Sequence, residues 1–353
     1  MSLDAARNHS AIVDYAVQAD CIYHLPEMLT SWQWSRQENP YIEQAKSASL
    51  AWIAESGVLD DKQVADFTRW NFDALRVSCD LLNLLFAFDE LSDVADVESI
   101  RQMADSVMDG LHYPENAQST RLGELSRQYV IIWVMRTMMI ASAETQRVLI
   151  SEMQDYTDSI LKEAQDRETT HVRNISEYLA LRRKTSALLA CFTMLQLGLK
   201  LPPTFFGHPA IVQLEGYAAD LASIGNDVYS YNVEQTRWDD FHNIVTVVQK
   251  QFDMSLDRAL EWIGEYHERM ANSFLASMKD VPSFGAEYDE DVSRYVDGLG
   301  NIVRANDSWS FETPRYFGRE SRAFQTHRQV VKMPRKFRNV SDGIAPDADS
   351  RTV

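Results

Sequence analysis

The stretch Leu81-Leu-Asn-Leu-Leu-Phe-Ala-Phe-Asp89-Glu90-Leu-Ser-Asp93 reads as a very apolar helix that ends in carboxylates. Asp89 and Asp93 are four residues apart and share a helical face, with Glu90 beside them. The backbone dipole disfavours negative charge at a helix C-terminus, and like charges at this spacing repel. Such an end needs compensation. Hard divalent cations such as Mg²⁺ take oxygen ligands and bridge carboxylates to phosphate; simple solvation of the acidic end is the alternative.

The helical pattern continues outward in both directions. Apolar residues recur at three- and four-residue spacing over 41–55, 61–80, 122–142, 143–166, 175–198, 210–231, 256–278 and 289–306. Breaks fall at His112-Tyr-Pro, Leu201-Pro-Pro, Gly207-His-Pro and Val281-Pro-Ser, where turn chemistry concentrates. With 13 glycines and 10 prolines in 353 residues, the turns of an all-β sandwich are hard to supply. The expected fold is a single all-α domain over 26–320. A polar segment, 1–25, precedes it, and a tail, 321–353, follows, rich in basic residues between Arg322 and Arg338. Both ends are expected to be partly flexible. The basic tail reads as a solvated segment or as one that folds over an anionic ligand.

Hydrophobic residues at 45% and charged residues at 24% exclude wholesale disorder. A net charge of −18 argues against a nucleic-acid partner, which needs a basic face. The 3 cysteines, Cys21, Cys79 and Cys191, show neither disulfide nor metal-ligand spacing. No secretory signal or membrane-spanning run is visible, so a cytoplasmic location is expected.

Three further segments carry chemistry. In Ile224-Gly-Asn226-Asp227-Val-Tyr-Ser230-Tyr-Asn-Val-Glu234, the residues Asn226, Ser230 and Glu234 fall at i, i+4 and i+8. That spacing lines up amide, hydroxyl and carboxylate oxygens on one helical stripe. Asn and Ser are poor helix-interior residues unless their side chains have a task, and the set suits one divalent cation. Near the C-terminus, Arg315-Tyr316 pairs a planar phosphate-gripping fork with a hydroxyl. Within Leu181-Arg182-Arg183-Lys184-Thr185-Ser186-Ala187, cationic residues interrupt an otherwise apolar helix and call for an anion.

Together these segments resemble class I terpene cyclases of the microbial type, fungal sesquiterpene synthases in particular. The family's aspartate-rich motif corresponds to Asp89-Glu90-Leu-Ser-Asp93. Its Asn-Asp-x-x-Ser-x-x-x-Glu motif corresponds to Asn226, Asp227, Ser230 and Glu234, and its Arg-Tyr pair to Arg315-Tyr316. Its diphosphate-sensing arginine falls at Arg182 or Arg183. Trp32-Gln-Trp-Ser-Arg-Gln-Glu-Asn-Pro-Tyr is also similar to the family's N-terminal region.

The resemblance implies a helical barrel with a central active-site cavity. It implies three Mg²⁺ ions held by Asp89, Asp93, Asn226, Ser230 and Glu234, and a prenyl diphosphate, farnesyl diphosphate favoured, bound through Arg182 or Arg183, Arg315 and Tyr316. Phe86 and Trp309 would line the pocket and support a carbocation, with Phe192 as a further candidate and core packing as the competing role for all three. A monomer or homodimer is expected.

Two positions depart from the pattern. Val233 stands where many relatives have Lys, and Ser186 and Ala187 stand where relatives often place Gly at a helix break. Competing readings are a cyclase of geranyl or geranylgeranyl diphosphate, a chain-lengthening prenyltransferase, a cyclase relative without activity, and a non-catalytic helical interaction protein.

Overall fold

A computed structural model describes residues 22–38, 43, 47–49, 51–52, 72–137 and 141–335. The 61–71 part of the helix expected over 61–80 therefore lies outside the described residues, as does most of 41–55. A short strand β1 (Ile22–His24) precedes helices α1 (Phe72–Ser92), α2 (Val97–His112), α3 (Arg121–Thr137), α4 (Ala143–Thr169), α5 (Ile175–Thr185) and α6 (Leu188–Phe192). Then follow α7 (Pro209–Arg237), α8 (Ile244–Phe252), α9 (Leu256–Ser277), α10 (Asp289–Glu312), α11 (Pro314–Phe317) and α12 (Ser321–His327), and a closing strand β2 (Gln329–Val331).

Local chemistry fixes the helix ends. Asp96, Ser142 and Ser255 accept hydrogen bonds from the backbone N–H three residues on, at the starts of α2, α4 and α9. Asn174 and Glu177 form a reciprocal capping box at α5. Pro209 opens α7, where its missing N–H costs nothing, and Trp238 ends it in a left-handed conformation at φ 65°. All four turn clusters read from the sequence fall at helix ends or between helices.

The apolar stripes assemble two adjoining cores. One gathers α1–α4, and the other gathers α7–α10 with the N-terminal residues Tyr23, Trp32 and Trp34. Helix α6 joins them, with Ala190 in the first core and Phe192 in the second. Helix α7 is the hub of the second, packing on α5, α8, α9 and α10. Gly300 of α10 lets the N-terminal segment in: an added Cβ there would lie 2.3 Å from the Trp34 ring, while the Gly300 carbonyl accepts from Trp32 Nε1 at 3.0 Å.

Two expectations change at the ends. Tyr23 and Leu25, in the segment expected to fray, are buried, and β1 pairs antiparallel with β2, Tyr23 opposite Val330. In the described part of the basic tail, 321–335, α12 packs on α10 and the residues after it reach the end of α7. There Asn232 Nδ2 donates to Val331 O at 2.9 Å and Gln235 Nε2 to Met333 O at 2.7 Å. Arg335 lies over the Trp238 ring and donates to Asp240 at 2.9 Å, so this tail cation is engaged by a carboxylate. No helix among the described residues is long and apolar enough to cross a membrane.

Candidate active site

At the seam between the two cores, Arg315 and Tyr316 of α11 link the end of α1 to the C-terminal half of α7. On α7, Asn226 is where three separate sequence segments meet. Arg182 Nη2 donates to Asn226 Oδ1 at 3.1 Å, and Asn226 Nδ2 donates to Tyr316 Oη at 2.8 Å. One turn on, Ser230 is buried and its hydroxyl donates to Asp227 O at 3.3 Å, while the Glu234 carboxylate accepts from Asn243 Nδ2 at 2.9 Å. Burial and then the Asp227 charge push Glu234 up to about 8, against the polar side chains of Ser230 and Asn243 beside it.

Asp227 points the other way and is 1% exposed. It accepts from the Tyr178 hydroxyl, from Arg182 Nη2 at 2.9 Å and Nε at 3.1 Å, and from the Ile244 backbone N–H at 2.9 Å. A buried carboxylate with this many donors is a structural anchor for the guanidinium.

At the end of α1, Arg315 of α11 joins the aspartate-rich end to the Arg-Tyr segment. Its guanidinium is 3.5 Å from Glu90 and 5.6 Å from the Phe86 ring centroid. Burial raises the Asp89 pKa, while the Arg315 and Arg182 charges oppose the rise and Glu90 adds to it. The charges of Asp89, Asp239 and Glu163 raise the Asp93 pKa, and Arg167 opposes the rise. Its side chain is exposed to solvent, so the repulsion among these carboxylates is the part of that shift that exposure leaves standing. Glu163 is raised to about 8 and Asp239 to about 6, burial leading in both.

This donor set fits a divalent metal. Three neutral or acidic oxygens lie along α7, facing carboxylates crowd the end of α1, and too little positive charge is present to balance them. Among the described residues no three His, Cys, Asp or Glu side chains already form a ligand cluster.

Geometry separates the two adjacent arginines of α5. Arg182 turns to Asp227 and Asn226, whereas Arg183 makes a two-point pair with Asp220, both contacts 2.6 Å, lower on α7. The structure thus brings Arg182 and not Arg183 to the motif residues. The helix expected over 175–198 breaks where relatives often carry glycine: Ala187 is left-handed at φ 54°, buried, and separates α5 from α6. The break forms without glycine. Trp309 stands edge-on to Tyr316, with ring centroids 5.8 Å apart, while Phe192 is a core residue at 1% exposure. Val233 is half-buried.

Several participants carry no role in the sequence reading: Tyr178, Asn243, Glu163, Asp239 and Arg167. Tyr178 lies four residues before Arg182, and Glu163 four before Arg167, so shared helical faces were the available signal. Asn243 and Asp239 come from the turn after α7, where no periodicity points to them.

Comparison with known proteins agrees with this geometry. The fold is that of the class I terpene synthases: the structure of a cucumene synthase variant superposes with a TM-score of 0.69 at 20% identity, covering 80% of this chain and 99% of that one. The chain belongs to terpene synthase family 2: the family model "Terpene synthase family 2, C-terminal metal binding" matches residues 80–272. It is 38% identical over 338 residues to a Delta(6)-protoilludene synthase of Armillaria gallica, covering 91% of this chain and 96% of that protein. It is 36% identical to Sesquiterpene synthase 14 of Postia placenta, covering 88% of this chain and 92% of that protein. The chain is accordingly a terpene synthase, a lyase with a metal-binding domain.

Proposed function

We propose that this enzyme ionises farnesyl diphosphate in the presence of Mg²⁺, cyclises the resulting carbocation to a sesquiterpene and releases diphosphate. The observation that carries the reading is the meeting at Asn226 of Arg182 and Tyr316, with Asp89 within the electrostatic reach of Arg182 and Arg315. The names of the relatives, sesquiterpene and protoilludene synthases, favour the fifteen-carbon substrate.

Asp89 and Asp93 on one side and Asn226, Ser230 and Glu234 on the other would hold the metal. Bound Mg²⁺ would supply positive charge to the leaving diphosphate. Arg182 and Arg315 would donate charge-assisted hydrogen bonds to its oxygens, and the Tyr316 hydroxyl a further one. These donors act where negative charge develops as the carbon–oxygen bond breaks. Asp227 fixes the Arg182 guanidinium, so little reorganisation is needed at that moment. Phe86 and Trp309 would turn ring faces to the carbocation, and the apolar surroundings would keep water from it.

Incubation with farnesyl diphosphate and Mg²⁺, followed by gas chromatography of the volatiles, tests the proposal. A sesquiterpene hydrocarbon or alcohol is expected. A product from geranyl or geranylgeranyl diphosphate alone would move the substrate; no product from any of the three would overturn the proposed reaction. Consumption of isopentenyl diphosphate would instead point to chain lengthening.

A further inference from the structure

The turn that carries Asp93 is gripped from both sides by the last turn of α4. Arg167 Nη2 donates to Ser92 O at 3.0 Å and to Ala95 O at 3.2 Å. The adjacent Glu168 accepts from the Val97 backbone N–H at 3.3 Å. The two Arg167 bonds tie together carbonyls of the turn after α1, where Ser92 O also accepts from the Ala95 N–H at 3.2 Å, and the Glu168 bond satisfies an N–H left over where α2 begins. A cation thus sits at the negative end of one helix and an anion at the positive end of the next. The cation also lies among Asp93, Glu163 and Asp239, lowering the cost of holding these carboxylates together.

We infer that Arg167 is a positioning residue for the aspartate-rich end, holding the Ser92–Ala95 backbone so that Asp93 and Asp89 present their carboxylates to the metal. The inference rests on the proposed metal-dependent reaction. Two effects of Arg167 on metal binding have opposite signs, which makes its role measurable. As a mere neighbouring charge it competes with Mg²⁺, and its removal would lower the Mg²⁺ concentration needed. As a positioning residue it orders the ligands, and its removal raises that concentration. Outer partners of metal ligands change affinity by about 10- to 100-fold when lost.

The test is the Mg²⁺ concentration for half-maximal turnover of the full-length wild type, Arg167→Ala, Arg167→Lys and Glu168→Ala, with melting temperatures in parallel. Arg167→Ala is expected to raise the Mg²⁺ midpoint about tenfold or more, with kcat recovered to within a few-fold at saturating Mg²⁺. Arg167→Lys keeps the charge but carries it on a shorter, freely rotating stem without the rigid guanidinium that sets Nη2 between the two carbonyls, so its midpoint should fall in between. Glu168→Ala should shift the midpoint the same way and less. A lowered melting temperature with an unmoved or lowered midpoint in Arg167→Ala overturns the inference and leaves the reaction standing. An inactive wild type overturns the reaction; the same midpoints are then read from thermal stabilisation by Mg²⁺ with inorganic diphosphate. A wild type that these two do not stabilise overturns both.

Discussion

Arg182 and Arg183 are adjacent in sequence and face two differently balanced regions of the same helices. Arg183 looks to the lower half of α7, where charges and polar groups are matched. Asp220 takes both arms of Arg183, Lys184 holds Asp155 at 2.9 Å, and Glu215 accepts from Tyr295 at 2.5 Å. Arg182 looks to the upper half, where Asp89, Asp93, Glu163, Asp227, Glu234 and Asp239 outnumber Arg167, Arg182, Arg237 and Arg315. Burial raises carboxylate pKa values in both regions, so burial does not mark the site. The uncompensated negative charge does. A fold keeps such an imbalance where a cation and its anionic ligand complete it.

The largest expected effects test that contrast directly. Asn226→Ala or Glu234→Ala should abolish detectable turnover with helicity by circular dichroism unchanged, because each removes a proposed metal ligand while leaving the α7 backbone. Asp220→Asn, in the matched region, should keep turnover within a few-fold. If Asp220→Asn abolished turnover with the fold intact, the division into two regions would fail. Next comes the arginine pair. Arg182→Lys cannot keep both its contacts to Asp227 and its contact to Asn226, and kcat should fall on the order of 10²-fold or more, the scale for losing a preorganised donor. Arg183→Lys, whose parent side chain is 43% exposed, should change kcat by less than about threefold and cost roughly 1 kcal/mol in stability by denaturant titration.

Much of this division could be read from residue order, but not all of it. The long helices were legible because their apolar stripes persist over several turns: α4, α7, α9 and α10 begin within a residue of expectation. Helix α8 was not, since Ile244-Val-Thr-Val-Val is β-branched and strand-like. Asn243, which caps it, and its burial against α7, α9 and α5 override that propensity. Helix α2 was also missed, although its buried Ile100, Ala104, Val107 and Leu111 lie on one face. At the site, the motif oxygens were legible because spacing alone aligns them. The choice between Arg182 and Arg183 was not, because two consecutive helix positions point about 100° apart and only the neighbouring helix says which direction leads to the site. Asn243 and Asp239 reach the site through a turn, which leaves no periodic trace.

A smaller effect separates the two regions by pH. Burial pushes Glu215 up to about 7 from its ordinary 4.5, despite the opposing hydrogen bond from Tyr295. Between those values the folded chain holds a proton that the unfolded chain has lost. The slope of unfolding free energy against pH is therefore negative there, and this contribution to stability disappears as pH rises from about 4.5 through about 7. Glu215→Gln should remove the decline and leave the mutant the more stable form above pH 7, by roughly 1–2 kcal/mol after allowing for its partial exposure. Urea unfolding of both proteins at pH 5 and pH 8 measures it. The site carboxylates titrate in both proteins and cancel in the difference, so an unchanged difference between the two pH values would deny Glu215 its raised pKa.

The smallest effect lies where the two regions part, at the break between α5 and α6. Ala187 holds φ 54°, which for a residue with a Cβ costs about 1–2 kcal/mol. Ala187→Gly relieves that strain but adds about 0.4–1 kcal/mol of unfolded-state entropy. The net change should run from neutral to a stabilisation of about 1 kcal/mol. In a continuous helix the same substitution would destabilise by about 1 kcal/mol. The sign of the change thus reports the conformation at one residue. Ala187→Val gives the complementary result, because a β-branched side chain is least tolerant of positive φ, and it should destabilise by more than the glycine change stabilises. A destabilising Ala187→Gly would mean that the helix runs through this point. Arg182 and Arg183 would then lack the fixed end that turns the chain away after them, and their division between the two regions would need another cause.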